Sequence, residues 1–241
     1  MTFLDERVAG HYDDPTDPMN SPAVIGPAVG FLADLAGEGR ALEFAIGTGR
    51  IAVPLSARGV EVHGIEISEP MVAVLQSKPE AADISVTIGD MATATVDGSF
   101  SLVYLVYNTV TNLLEQDEQV ACFVNAAAHL EKGGRFVVET FVPRVRRLGV
   151  GETFLPFDVS EHHVGIDEFD VVNQRLTSHH YRIREGTAAK FESRHRYAWP
   201  AEYDLMARIA GMELEQRWGS WARDPFTEDS ESHVSVWRKG G

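Results

Sequence analysis

Apolar and polar positions along this chain change period in blocks, and the blocks predict its elements. Val24, Ile25, Val29, Leu32 and Leu35 recur at the three- and four-residue spacing of a helix over residues 23–36, which GEGR ends. From residue 41, short apolar runs predict strands at 41–46, 60–65, 84–88, 102–106 and 135–140. Helical stretches at 50–58, 70–77 and about 116–130 separate them, with EKGG as the turn before the last strand. Such alternation is that of a mostly parallel sheet with helices on both faces.

The pattern changes after residue 142. Residues 152–199 are β-rich, with EFDVVNQRLTSHHYRI and AKFESRHRYAW as strand-like runs and a turn signal at REGT, so a small antiparallel insertion is expected over 143–199. A helix at 200–210 follows, then two strand-like stretches, GMELEQRWGSW and SHVSVWRK, on either side of a charged loop. Residues 1–22 are polar and punctuated by proline, which predicts an irregular arm. The expected division is therefore an arm at 1–22, a main α/β domain at 23–142 and 200–241, and the insertion between them.

Composition narrows the function. At 241 residues the chain suits one domain with an insertion, and no apolar run is long enough to span a membrane. The first residues lack the apolar stretch of a signal peptide, so the cytoplasm is expected. A formal charge of −15 argues against a nucleic-acid substrate, with PRVRRL at 143–148 the one basic run, read as a solvated loop. The single cysteine, Cys122, lies in an apolar helical segment and reads as packing.

The chemistry concentrates at ALEFAIGTGR, residues 41–50, where a strand runs into a glycine turn that opens a helix. Backbone N–H groups there can approach a polar ligand. Two cofactors fit. Gly47-x-Gly49-x-x-Ala52 with Glu66 nineteen residues beyond Gly47 matches a dinucleotide fingerprint, the reading of an NAD-dependent oxidoreductase. Glu43-x-x-x-Gly47-x-Gly49 resembles the first motif of class I S-adenosylmethionine-dependent methyltransferases, with Ala45 where that family has a further glycine. Asp90 in IGDM separates the two, because the methyltransferase family has an acid there for the adenine amino group, and the terminal β–loop–β also matches that family.

The resemblance implies a Rossmann-like fold and places S-adenosylmethionine on the turn Glu43, Gly47, Thr48, Gly49 and Arg50. It further implies Glu66 and Ile67 at the ribose, Asp90 and Met91 at the adenine, and Tyr107 and Asn108 near the methionine end. A narrower likeness, to methyltransferases of natural-product and sugar-nucleotide amines, puts Tyr12 of HYDD over the sulfonium and makes the insertion a substrate lid and a candidate homodimer surface. The expected activity is methyl transfer to nitrogen or oxygen of a small-molecule acceptor, by in-line displacement. A cofactor-binding protein without turnover is the third reading.

Such a displacement needs alignment more than it needs a metal, and a general base only where the acceptor arrives protonated. His179, His180, His195 and Tyr12 are the candidates for that catalytic role. Adjacent histidines on a strand point to opposite faces, so at most one of His179 and His180 faces the pocket. No His-x-x-x-His spacing occurs, and no metal is expected. Trp199, Trp218 and Trp237 read as core beneath the terminal strands, whereas Trp221, in SWARDPF, needs a packing partner of its own.

Overall fold

The computed structural model describes residues 12–13, 18–184 and 187–241. Most of the expected N-terminal arm, and Glu185 and Gly186 of the expected REGT turn, lie outside the described residues.

A seven-stranded sheet carries the main body, in the order β10-β11-β5-β4-β1-β2-β3. Its strands are β1 (Ala41–Phe44), β2 (Val62–Glu66), β3 (Ser85–Ile88), β4 (Phe100–Leu105), β5 (Leu130–Phe141), β10 (Met212–Trp218) and β11 (Ser232–Lys239). The first five are mutually parallel, and β11 runs antiparallel to both β5 and β10. All four residues of β1 are buried, because helices cover both faces of a central parallel strand.

Alternate residues feed two cores. Leu42, Phe44, Val103 and Leu105 pack with Phe123, Phe136, Tyr203 and Trp237 beneath α4 (Gln116–His129) and α5 (Pro200–Ile209). Ala41, Leu102 and Tyr104 pack on the other face with Leu32, Leu55 and Leu75 from α1 (Pro22–Ala36), α2 (Ala52–Ser56) and α3 (Glu69–Gln76). Local chemistry sets the helix starts. Ser68 accepts the Met71 amide to cap α3, and Glu115 and Glu118 form a capping box on α4.

EKGG is not a turn before a strand. β5 begins at Leu130, opposite Phe100, and the next pair is Leu102 with Arg135, so residues 131–134 bulge out of a continuous strand. Gly133 takes the positive φ of 78° that this bulge needs. Of the tryptophans read as core, Trp237 is fully buried and Trp218 partly so, but Trp199, just ahead of α5, is 39% exposed; Trp221 packs edge-on against Phe31 with its ring 5.5 Å away.

A second, four-stranded antiparallel sheet follows the main run of β-α units. Its order is β6 (Phe154–Val159), β7 (His163–Asp170), β8 (Arg175–Arg184) and β9 (Thr187–Arg196). Ten residue pairs join β8 to β9, from Arg175 with Arg196 to Arg184 with Thr187. Buried Arg196 fastens the end of β9 to the main body. Its guanidinium donates to Gln119 Oε1 at 2.5 Å and Glu202 Oε1 at 2.6 Å, while Gln119 Nε2 donates to the carbonyls of Arg196 and Val110. The PRVRRL run is neutralised by an acidic loop: Arg144 and Arg147 pair with Glu231, and Arg146 donates to the Glu228 carbonyl.

No helix among the described residues is long and apolar enough to cross a membrane.

Candidate active site

The carboxyl ends of β1, β2 and β3 and the inner face of the second sheet enclose one cavity of about 1320 Å³. Each wall follows from its own element. At the end of β2, Glu66 is buried, and its carboxylate accepts the Gly47 amide at 2.8 Å and the Ser68 amide at 2.8 Å. An ionised carboxylate has about four acceptor sites, so two remain for a ligand. Gly47, at a φ of 57°, lines the cavity, and nothing lies close where a Cβ would stand. The Gly89 amide donates to the Glu66 carbonyl, and Asp90 follows with Oδ1 accepting the Ala92 amide at 2.8 Å. Asp90 is exposed, and it lines the cavity together with the apolar residues Ile67 and Met91.

Four residues expected at the site lie elsewhere. Glu43 is 2% exposed, beneath the turn and outside the lining, where it accepts the Tyr104 hydroxyl at 2.8 Å. Burial pushes its carboxyl up to about 8, so it is protonated at neutral pH. It supports the turn from below. Gly49 is also outside: at a φ of 80° it faces α3, and a Cβ there would strike the Leu75 side chain. Thr48 is buried and donates to Asp13 Oδ1 at 2.6 Å, while Lys78 pairs with the same carboxylate at 2.7 Å and donates to the Thr48 carbonyl. These contacts hold the neighbouring Tyr12 against the cavity. The fourth, His179, points to the opposite face of β8 and bonds Glu168 at 2.8 Å and Glu192 at 3.1 Å.

Tyr12, Arg50, Tyr107 and Asn108 line the cavity beyond the turn. Burial raises the Tyr12 phenol above its ordinary value and keeps it neutral. Arg50 lies 4.4 Å over the Tyr107 ring and donates to the Met19 carbonyl. Tyr107 and Asn108 are consecutive left-handed residues, at φ of 57° and 62°. Such backbone costs about 1–3 kcal/mol per residue and persists only where partners hold it. Here Glu139, absent from the sequence reading, accepts the Tyr107 amide at 2.9 Å and the Trp221 indole at 2.7 Å, and Asn108 Oδ1 accepts the Phe141 amide.

The second sheet supplies the far wall from alternate positions. Leu176, Ser178 and His180 of β8 face inward with Phe191, Ser193 and His195 of β9. Ser178 donates to Asp167 on β7 at 2.6 Å, and His195 bonds Thr111 at 3.1 Å and Ser193 at 3.0 Å. Burial lowers His195 to about 4, and burial with His163 and Arg182 nearby lowers His180 to about 4. Both imidazoles are neutral at pH 7. Sequence spacing could reveal the alternation along β8 but not the strand pairing that brings Asp167 and His163 to these side chains, nor the packing of the short helical turn that brings Thr111. Among the described residues, no group of three His, Cys, Asp or Glu side chains is arranged to hold a metal ion.

Residues 41–134 match the family model of a methyltransferase domain. Over 222 residues the chain is 28% identical to the cypemycin N-terminal methyltransferase of a Streptomyces species, covering 89% of this chain and 91% of that protein. Among solved structures, the CcbJ methyltransferase from Streptomyces caelestis superposes with a TM-score of 0.87 at 37% identity, covering 100% of this chain and 99% of that one. The amino pentose methyltransferase CalS10 from Micromonospora echinaspora, solved with S-adenosylmethionine bound, shares the fold at a TM-score of 0.70 and 18% identity, over 99% of each chain.

Proposed function

Because the chain belongs to the class I S-adenosylmethionine-dependent methyltransferases, with S-adenosylmethionine as its cofactor, we propose that it methylates an amine nitrogen of a small-molecule acceptor by in-line displacement. The observation that carries this reading is the single cavity joining Glu66 and Asp90 to the neutral histidines of the second sheet. At about 1320 Å³ it exceeds the roughly 300–1,000 Å³ usual for one ligand, which leaves room for cofactor and acceptor together.

The residues fit the cofactor. Glu66 has two acceptor sites left for a ribose diol, and each charge-assisted bond contributes about 1.5–3 kcal/mol. Asp90 Oδ2 can take an adenine amino group, with Ile67 and Met91 as apolar walls. The cofactor, when bound, supplies a methyl group on a sulfonium. Alignment of an acceptor with that methyl can lower the barrier by about 7–11 kcal/mol. Phe157, Phe169, Phe191 and Leu176 give the acceptor side an apolar lining.

Nitrogen is favoured over oxygen by the wall itself. A neutral imidazole accepts a hydrogen bond from an amine N–H and leaves the nitrogen lone pair free to attack. A hydroxyl holds its proton far more tightly than an ammonium does, and becomes a nucleophile only with a stronger base than these imidazoles. The cypemycin relative is named as an N-terminal methyltransferase, and a peptide N-terminus is an amine.

Thermal unfolding with S-adenosylhomocysteine, then a methyl-transfer screen by mass spectrometry, tests the proposal. At a hundredfold over its Kd the ligand should stabilise the protein by about 2.7 kcal/mol, and NAD should not. Methylation of amines but not of matched alcohols is expected; transfer to the alcohols alone would overturn the nitrogen assignment.

A further inference from the structure

We propose that Asp158, His163 and His180 form a proton relay that keeps the cavity-facing Nε2 of His180 unprotonated and ready to take a proton from the methyl acceptor. The proposal rests on the methyl-transfer reading for its purpose, but its geometry stands apart from it. Asp158 Oδ2 lies 2.5 Å from His163 Nδ1, and His163 Nε2 lies 3.1 Å from His180 Nδ1. His180 lines the cavity, and with Nδ1 engaged, Nε2 is the ring nitrogen left for an acceptor.

The protons follow from the end of the chain. An ionised carboxylate only accepts, so His163 Nδ1 carries hydrogen. A neutral His163 then presents a bare Nε2. His180 must donate to it from Nδ1, and its own Nε2 is the lone pair. Strand pairing builds the line across three strands, for His180 lies opposite Gly165 and His163 opposite Arg182, two residues along β7 and β8. Phe191 stacks on the His180 ring at 4.3 Å and 3°, and Phe157 meets it edge-on at 5.3 Å. Gly165 makes that second contact available, since a Cβ there would collide with the Phe157 ring.

The relay answers a difficulty in using His180 as a base. Burial first, then His163 on β7, Arg182 on its own strand, His195 on β9 and His179 on the opposite face, all disfavour a cation on this ring. With the relay, no cation stays there. An acceptor ammonium gives its N–H proton to His180 Nε2 as the Nδ1 proton of His180 passes to His163 Nε2. His163 then holds both protons against the Asp158 carboxylate, whose side chain is 44% exposed and can release one to water. The net change is one proton moved from acceptor to solvent, with the amine lone pair freed. His180 is the catalytic residue, and His163 and Asp158 position its proton.

Long-range ¹H–¹⁵N correlation spectra of ¹⁵N-histidine-labelled protein at pH 7 test this, with His180→Gln to assign the signal. The expected result is an excess of about tenfold of the Nδ1–H tautomer at His180. Asp158→Asn, at the exposed rim, and His163→Phe, which keeps an aromatic ring, should each reduce that excess severalfold. A wild-type His180 mainly in the Nε2–H form, or a ratio unchanged in both variants, overturns the relay. Thermal shift with S-adenosylhomocysteine on the same samples separates the two readings. Its absence in the wild type removes the cofactor reading and leaves the tautomer result to stand or fall by itself.

Discussion

The two walls of the cavity are built by opposite means. The cofactor wall is made at strand ends, by Gly47, Glu66 and Asp90, and its three key contacts are all backbone amides held by a carboxylate. The acceptor wall is made along strands, by side chains at every second position of β8 and by the facing side chains of β9. A wall of turns depends on φ and on close packing, so few residues can change without losing the ligand. A wall of alternating side chains can change one residue at a time while the backbone pairing stays the same. The fold thus separates a fixed donor site from an adjustable acceptor site.

The strongest way to break this comparison is to cut the joint between the walls. Arg196 is 5% exposed and bridges β9 to Gln119 of α4 and Glu202 of α5. Arg196→Ala leaves Glu202 and Gln119 without their partner, and breaking a buried pair costs about 3–5 kcal/mol. If the second sheet is an accessory of the main body, chemical denaturation should show this loss in one transition. Two separate transitions would mean that the walls fold independently.

Next in size is the contrast between walls. Glu66→Ala removes both ribose acceptor sites and should weaken S-adenosylhomocysteine about a hundredfold by calorimetry, from two charge-assisted bonds of about 1.5 kcal/mol each. Ser178→Ala, across the cavity, removes only the bond to Asp167 and should leave that affinity within about twofold. Equal losses in both variants would show that the donor site is not separate.

The same contrast explains what could be read from the chain. Strand–helix alternation and the glycine turn are local patterns, and so the parallel sheet, the terminal antiparallel strand and the second sheet follow from them. The turn residues themselves divide by facts that are not local. Gly47 and Gly49 look alike in GTG, yet only the position of Leu75 on α3 sends one to the cavity and the other to packing. Glu43 carries the family motif but is sealed under the turn by Tyr104, sixty-one residues away. Glu139 and Asp158 give no signal, and His163 reads as a polar loop histidine, because their partners are set by the tertiary fold.

Acid should separate the walls more mildly. His180 and His195 both titrate well below the usual histidine value of about 6.5, and both stand on the second sheet. Below pH 6.5 the unfolded chain binds protons that these folded imidazoles refuse. Their stabilising contribution is therefore present above pH 6.5 and is lost as pH falls towards 4. Each contributes at most about 1.4 kcal/mol per pH unit, less for solvent screening. His233 of β11, also lowered to about 3 by burial, adds a background slope in the main sheet. Hydrogen exchange between pH 6.5 and 4 should therefore rise in β8 and β9 before it rises in β1 and β2. His195→Gln should delay it; an unchanged profile would remove His195 from the cause.

The smallest effect falls on the turn. Ala45 stands where the resembling family has a glycine, and it holds a φ of 53°. A left-handed alanine costs about 1–2 kcal/mol relative to its preferred conformation. Replacing it with glycine removes that strain but adds unfolded-chain entropy worth about 0.4–1 kcal/mol. Ala45→Gly should therefore stabilise the protein by about 0.5 kcal/mol in urea titration, with the m-value unchanged. Because Ala45 lines the cavity beside Gly47 and a glycine adopts the same φ without strain, the relieved turn keeps its shape and cofactor affinity should hold. A destabilised variant with intact affinity would mean that the Ala45 methyl is itself packing, against the aromatic core that it touches beneath the sheet.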